Sequence, residues 1–231
     1  DRLQGILFPP VIVLETGSPP SAAGAADASA GAPVALLFVP GLLFMSFLFM
    51  AQGIAEDLWV EREAHTLRRA IIAPPSPGGV LLGKLLAGAG VMLLVAGVGL
   101  AVAFAWFHLS WPQYPGALGW SVFSGTFLLT MFFALHVHVP TRRAASVLST
   151  ALVFPLMMLG GSFFPFEAMP AWMVAIGRWT PNGWALARLK DLLLDRADPA
   201  HLARSAGMLA AVGVGLFLLA ARRLGASFAR G

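Results

Sequence analysis

Leu85 to Phe107 reads LLAGAGVMLLVAGVGLAVAFAWF, with no charged side chain in it. A helix that spans a bilayer needs about 20 mostly apolar residues, and this run meets that length by itself. Four more stretches have the same character. Val34 to Ala55 is apolar apart from Ser46 and Gln52, with Pro40-Gly41 as an expected kink. Ala117 to Val139 and Ala144 to Leu159 follow, the latter with Pro155 inside it. Ala206 to Ala221 is short but uninterrupted by charge. The reading is an all-α integral membrane protein with five visible transmembrane helices, spanning about 34–55, 85–107, 117–139, 144–159 and 206–221. Pro40 and Pro155 free backbone carbonyls that lipid cannot satisfy, so neighbouring helices are expected to cover those points.

Composition agrees. The 231 residues are 58% hydrophobic and 11% charged, with a mean hydropathy of +0.79. Soluble domains carry roughly 25% charged residues, and no water-facing surface could be covered with so few. The net charge of +4 does not point to nucleic acid, because the arginines sit in short clusters between apolar runs, as membrane topology requires. Cysteine is absent, which excludes disulfides and thiolate metal sites.

The connections set an orientation. The loop after the first span carries Arg62, Arg68 and Arg69, with Lys84 just beyond it, and the loop after the third carries Arg142 and Arg143. Arg222, Arg223 and Arg230 follow the last span. The loop after the second, Leu109 to Gly116, is uncharged and has Trp111, Tyr114 and nearby Trp120 as interfacial anchors. Basic loops stay inside, so the C-terminus is expected in the cytoplasm and the N-terminus outside. Residues 1–33 then form an extracellular segment. Pro9-Pro10 break its apolar Ile6–Leu14 stretch, and Thr16 to Gly31 is Ala/Gly/Ser/Pro-rich and expected to be disordered. With no export signal there, a span upstream of this sequence is expected to be missing.

Several polar features need a reading. Glu56 to Ile72 has Val60, Ala64, Leu67 and Ile71 at helical spacing, acids first and bases last. Either it lies on the membrane surface, or it is a docking helix that receives motion from a cytoplasmic partner. Gly78 to Lys84 has the G-x-x-x-x-G-K spacing, but Leu85 replaces the Ser or Thr that would ligate Mg²⁺; Lys84 is read as reaching to the cytoplasmic interface. His136 and His138 would point about 200° apart on a helix, a poor chelate, and read as interfacial. Gly83, Gly88, Gly90, Gly97 and Gly99 allow close helix approach, whether in static packing or in a moving seam. Phe163 to Trp184 is aromatic and proline-rich, as in an interfacial belt, and a polar stretch with Arg188, Lys190 and Asp191 follows. No span has an ionisable group near its middle, which argues against an ion-coupled transporter or a channel. An intramembrane enzyme would have only scattered Ser and Thr to work with.

Two blocks carry a resemblance. The first is Glu61-Arg62-Glu63, Thr66-Leu67-Arg68-Arg69, Pro74, Gly79 and Leu82-Gly83-Lys84-Leu85-Leu86. The second is Leu159-Gly160-Gly161-Ser162-Phe163-Phe164-Pro165, then Met169-Pro170, Trp172, Pro181 and Trp184. Together, from about Val34 to Arg223, they resemble the type-two family of ABC exporter permeases. The resemblance implies six spans in the full protein, a cytoplasmic coupling helix and an outer re-entrant helical hairpin. It implies a membrane-spanning permease that exports amphiphilic drug-like, lipid or glycolipid molecules and is not itself an enzyme. No cofactor is expected in this chain; ATP and Mg²⁺ would sit on a separate ABC ATPase subunit, and a second permease copy would complete the pathway through the cell membrane. Glu56, Glu61, Arg62, Glu63, Thr66, Arg68 and Arg69 would couple to the ATPase. Gly160, Gly161, Phe163, Phe164, Pro165 and Trp172 would form the outer gate.

Overall fold

The computed structural model describes residues 34–64 and 77–228, and every regular element among them is helical. The expected extracellular segment lies outside the described residues, as do Thr66, Arg68, Arg69 and the rest of 65–76.

In chain order the helices are α1 (Val34–Glu63), α2 (Pro77–Trp106), α3 (Tyr114–His138), α4 (Arg142–Leu159), α5 (Ala171–Gly177), α6 (Pro181–Leu193) and α7 (Pro199–Phe228). Five of them, α1, α2, α3, α4 and α7, are long and apolar enough to cross a membrane. Single 3₁₀ turns at Trp111–Gln113 and Phe166–Ala168 precede α3 and α5. Caps fix two of the starts: Thr141 Oγ1 accepts from Ala144 N at 3.2 Å, and Thr180 Oγ1 accepts from Gly183 N at 3.0 Å with Pro181 next to it.

Three helices outrun the apolar stretches that announce them. α1 continues through the acidic residues to Glu63, α2 starts at Pro77 rather than Leu85, and α7 has 30 residues. Hydropathy marks where lipid ends, whereas a helix continues until the backbone meets a stop. Glu56 to Glu63 is therefore the end of the first helix, not the start of a separate one. Its phase follows from that: Ala51, Ala55, Leu58 and Trp59 are buried while Val60 is exposed, so the apolar stripe expected through Val60 and Ala64 does not face the bundle.

The hub is α3, which packs against α1, α2, α4, α6 and α7. Of its most apolar window 61% is buried, against 11% for α7. Leu128, Leu129, Phe132 and Phe133 of α3 meet Phe44, Phe47 and Met92 in one cluster. The hydroxyls of Ser121, Thr126 and Thr130 each donate to the carbonyl four residues back, at 2.7–2.8 Å, so they need no partner on another helix.

The glycines of α2 do not form one seam. A Cβ on Gly88 would collide with Leu129, and Gly97 and Gly99 are in ordinary contact, but Gly83 and Gly90 have open space beside them. The tighter crossing is on α3, where a Cβ on Gly125 would lie 2.8 Å from Met92 Sδ and 3.2 Å from the Phe47 ring. At the end away from Arg62 and Arg142, the rings of Phe104, Trp111 and Tyr114 cluster with centroids 5.3–5.9 Å apart. There Tyr114 donates to Gly97 O at 2.9 Å and Trp120 Nε1 to Ala185 O at 2.8 Å.

Candidate functional site

The residues read as functional fall at opposite ends of the bundle. At the basic end, α1 delivers Glu56, Glu61, Arg62 and Glu63. Lys84 Nζ lies 2.6 Å from Glu61 Oε1, which ties α2 to α1; the lysine thus reaches a carboxylate rather than simply the interface. Arg142 Nη1 lies 2.9 Å from Glu63 Oε2 and ties α4 to the same end. Arg62 folds back over the Trp59 ring, 5.1 Å from its centroid. Glu56 Oε1 accepts from Ser146 Oγ at 3.2 Å and from Gln52 Nε2 at 3.4 Å. Glu61 and Glu63, expected to be offered to a partner, are thus both engaged within the chain.

The neighbouring histidines part company. His136 is buried, with Nε2 2.7 Å from Ser149 Oγ on α4, whereas His138 is exposed and Nδ1 donates to Ala134 O at 2.7 Å. His136 is an interhelical bond inside the bundle rather than an interfacial group. A hydrogen bond between spans is favourable where no water competes.

At the other end, α4 stops at Gly160 and the chain turns sharply. Gly161 has φ +79°, a conformation open to glycine and costly for other residues. The turn is pressed against α1, because a Cβ on Gly41 would lie 2.8 Å from Ser162 O. The Pro40-Gly41 pair therefore provides close approach. Asn182, buried at the start of α6, donates from Nδ2 to Ser162 Oγ at 2.8 Å and to Leu156 O at 3.2 Å, knitting α4, the turn and α6 together. The Phe166 ring fills the space against Gly161 and Gly177, and Lys190 Nζ sits 5.9 Å above it while bonding Glu167 Oε2 at 2.8 Å. Lys190 is buried, so the stretch after the aromatic block is not uniformly solvent-facing. Gly160, Gly161 and Pro165 are inside this knot, while Phe163, Phe164 and Trp172 are exposed.

Glu61–Glu63 of the first block and the 159–165 run of the second thus lie at the two ends of one α1–α4 pair. The sequence model of the family described as "ABC-2 family transporter protein" matches residues 19–222. The chain belongs to the ABC-2 transporter family. No curated protein matches it at a significant level. As an ABC-2 membrane component, the chain belongs to the transport machinery of the membrane and not to its catalytic part.

Sequence reasoning missed Gln52, Ser146, Ser149 and Thr150 as a set, as well as Asn182 and Gly125. The first group had a signal: 146, 149 and 150 share one face of α4. Asn182 had none, since its partners come from a turn 20 residues earlier.

Proposed function

We propose that this ABC-2 chain is the permease subunit of an ATP-driven exporter that moves an amphiphilic drug-like, lipid or glycolipid molecule out of the cytoplasm, powered by a separate ABC ATPase. The observation that carries this reading is an apolar cleft of about 410 Å³ between α1 and α2. Val39, Leu42, Leu43, Val95 and Trp106 line it, and its one side-chain hydroxyl, on Ser46, is already bonded to Leu42 O at 3.0 Å. Such a wall suits a hydrocarbon chain and offers nothing to an ion. ATP chemistry belongs on the partner. Residues 78–84, with their G-x-x-x-x-G-K spacing, lie in the first turns of α2, where backbone amides are not arrayed as a phosphate-cradling loop.

In this mechanism closure of an ATPase pair pushes on the basic end of α1, and the 160–165 turn opens a path between two permease copies. Co-expression with its ATPase should give a complex whose ATP hydrolysis rises severalfold when the permease is present. The permease alone should bind no nucleotide. Nucleotide crosslinking to the isolated chain, lost in Lys84→Ala, would contradict the assignment.

The succession of basic, uncharged, basic, mixed-charge and basic connections supports a cytoplasmic C-terminus. A cysteine at Gln113, in this cysteine-free chain, should react with an impermeant thiol reagent added to intact cells, and one at Thr141 should not. Labelling at Thr141 alone would invert the orientation.

A further inference from the structure

Gln52, Glu56 and Glu63 lie at i, i+4 and i+11 on α1, a single stripe of the helix. Opposite them on α4 are Thr150, Ser146 and Arg142, at i, i−4 and i−8. The contacts join them rung by rung. Gln52 Nε2 donates to Thr150 Oγ1 at 3.2 Å, Ser146 Oγ to Glu56 Oε1 at 3.2 Å, and Arg142 Nη1 to Glu63 Oε2 at 2.9 Å. His136 holds Ser149 from the α3 side, between the first two rungs.

Stability does not explain this arrangement. Arg142 and Glu63 are each about half exposed, and exposed ion pairs contribute only about 0–1 kcal/mol. The ladder does fix register, because sliding either helix by one residue, about 1.5 Å, misaligns all the rungs together. The far end of α4 carries the Gly160–Ser162 turn, which also abuts Gly41 of α1. We propose that the ladder Gln52–Thr150, Glu56–Ser146 and Glu63–Arg142 binds α1 and α4 into one unit, so that a push at the basic end moves the 160–165 turn directly. These six are positioning residues. Glu63 then acts as a strut inside the chain and not as a docking charge for the ATPase, a role that rests on the exporter reading.

The test is a charge exchange, read as transport and permease-stimulated ATP hydrolysis per inserted permease. Glu63→Arg and Arg142→Glu should each lower both by about tenfold, and the double exchange should return them to within about twofold of wild type, the coupling expected of direct partners. A double variant as poor as the single ones, or single variants as active as wild type, would overturn the strut. The second arm uses the Gln52→Cys/Thr150→Cys pair. Oxidation or a short bis-thiol reagent should join the helices in good yield, and the joined form should be at least as active as the reduced form. Activity that falls on crosslinking and returns on reduction would show that the helices part during the cycle, which overturns the proposal; so would failure to crosslink. If the wild-type complex shows no stimulated hydrolysis, the exporter reading fails by itself, and the ladder is still read in membranes. Crosslinking yield should then drop severalfold in each single charge variant and recover in the exchange, and a constant yield would sink it.

Discussion

Gly177→Ala should leave little folded protein in the membrane. A Cβ at position 177 would land on the Leu159 carbonyl oxygen and come within 3.0 Å of both Leu159 C and the Phe166 ring. The first obstacle is backbone at the end of α4, held by the Gly160 N to Leu156 O bond at 2.8 Å, so it cannot swing aside like a side chain. Relief requires α5 to lift away from α4, which strips Phe166 and exposes the Asn182 bonds. Overpacking in a core ordinarily costs about 1–3 kcal/mol; with backbone as the obstacle the upper end applies. The measurement is the monodisperse yield and thermal midpoint in detergent. Gly90→Ala is the control, since nothing lies within 4 Å of its added methyl and alanine is the better helix former by about 1 kcal/mol. A Gly177→Ala protein melting with wild type would refute the close contact drawn here.

Phe132→Ala should have the second largest effect, and its size reports on the solvent as well as on the packing. Phe132 is fully buried on α3, in the cluster with Phe47, Leu128 and Met92. In a water-soluble core this change costs about 3–5 kcal/mol, a transfer part plus a cavity part. Between helices in lipid the transfer part largely drops out, because the surrounding tails are as apolar as the core. What remains is lost contact, about 2–3 kcal/mol by the cavity scale. Steric trapping or reversible denaturation in bicelles would measure it. A loss below about 1 kcal/mol would mean that the site collapses around the void. Phe154→Ala, on the exposed side of α4, should be nearly silent in the same assay.

The spans were legible because a bilayer imposes a length and a polarity on any helix that crosses it. Their faces were not. α1, α2 and α3 are apolar nearly all round, so the inward side carries no hydropathy phase, and the spacing of Val60 and Ala64 did not tell which residues of α1 face the bundle. The charges at the end of α1 could be read only as charges. Whether Glu61 meets solvent, a partner or Lys84 depends on where α2 begins, at Pro77 and not at the hydropathy break at Leu85. On α4 the phase was present in Ser146, Ser149 and Thr150, and it became meaningful only with Gln52 and Glu56 opposite. The knot behind the 160–165 turn depends on contacts such as Gly41 to Ser162 across more than a hundred residues, which no local pattern encodes. The two motif blocks, by contrast, were readable one residue at a time, and the family match spans both.

The self-satisfied hydroxyls of α3 bear on how the bundle is built. The hub is made before α7, the last helix, which later covers it near Phe127 and Gly213. A span whose serines and threonines had to wait for bonds from a later helix would be poorly tolerated in lipid meanwhile. Ser121, Thr126 and Thr130 have no such wait, since each bonds within its own helix as soon as that helix forms. These three hydroxyls therefore set no order on assembly, whereas Trp120 and His136 of the same helix find Ala185 and Ser149 only when α6 and α4 arrive.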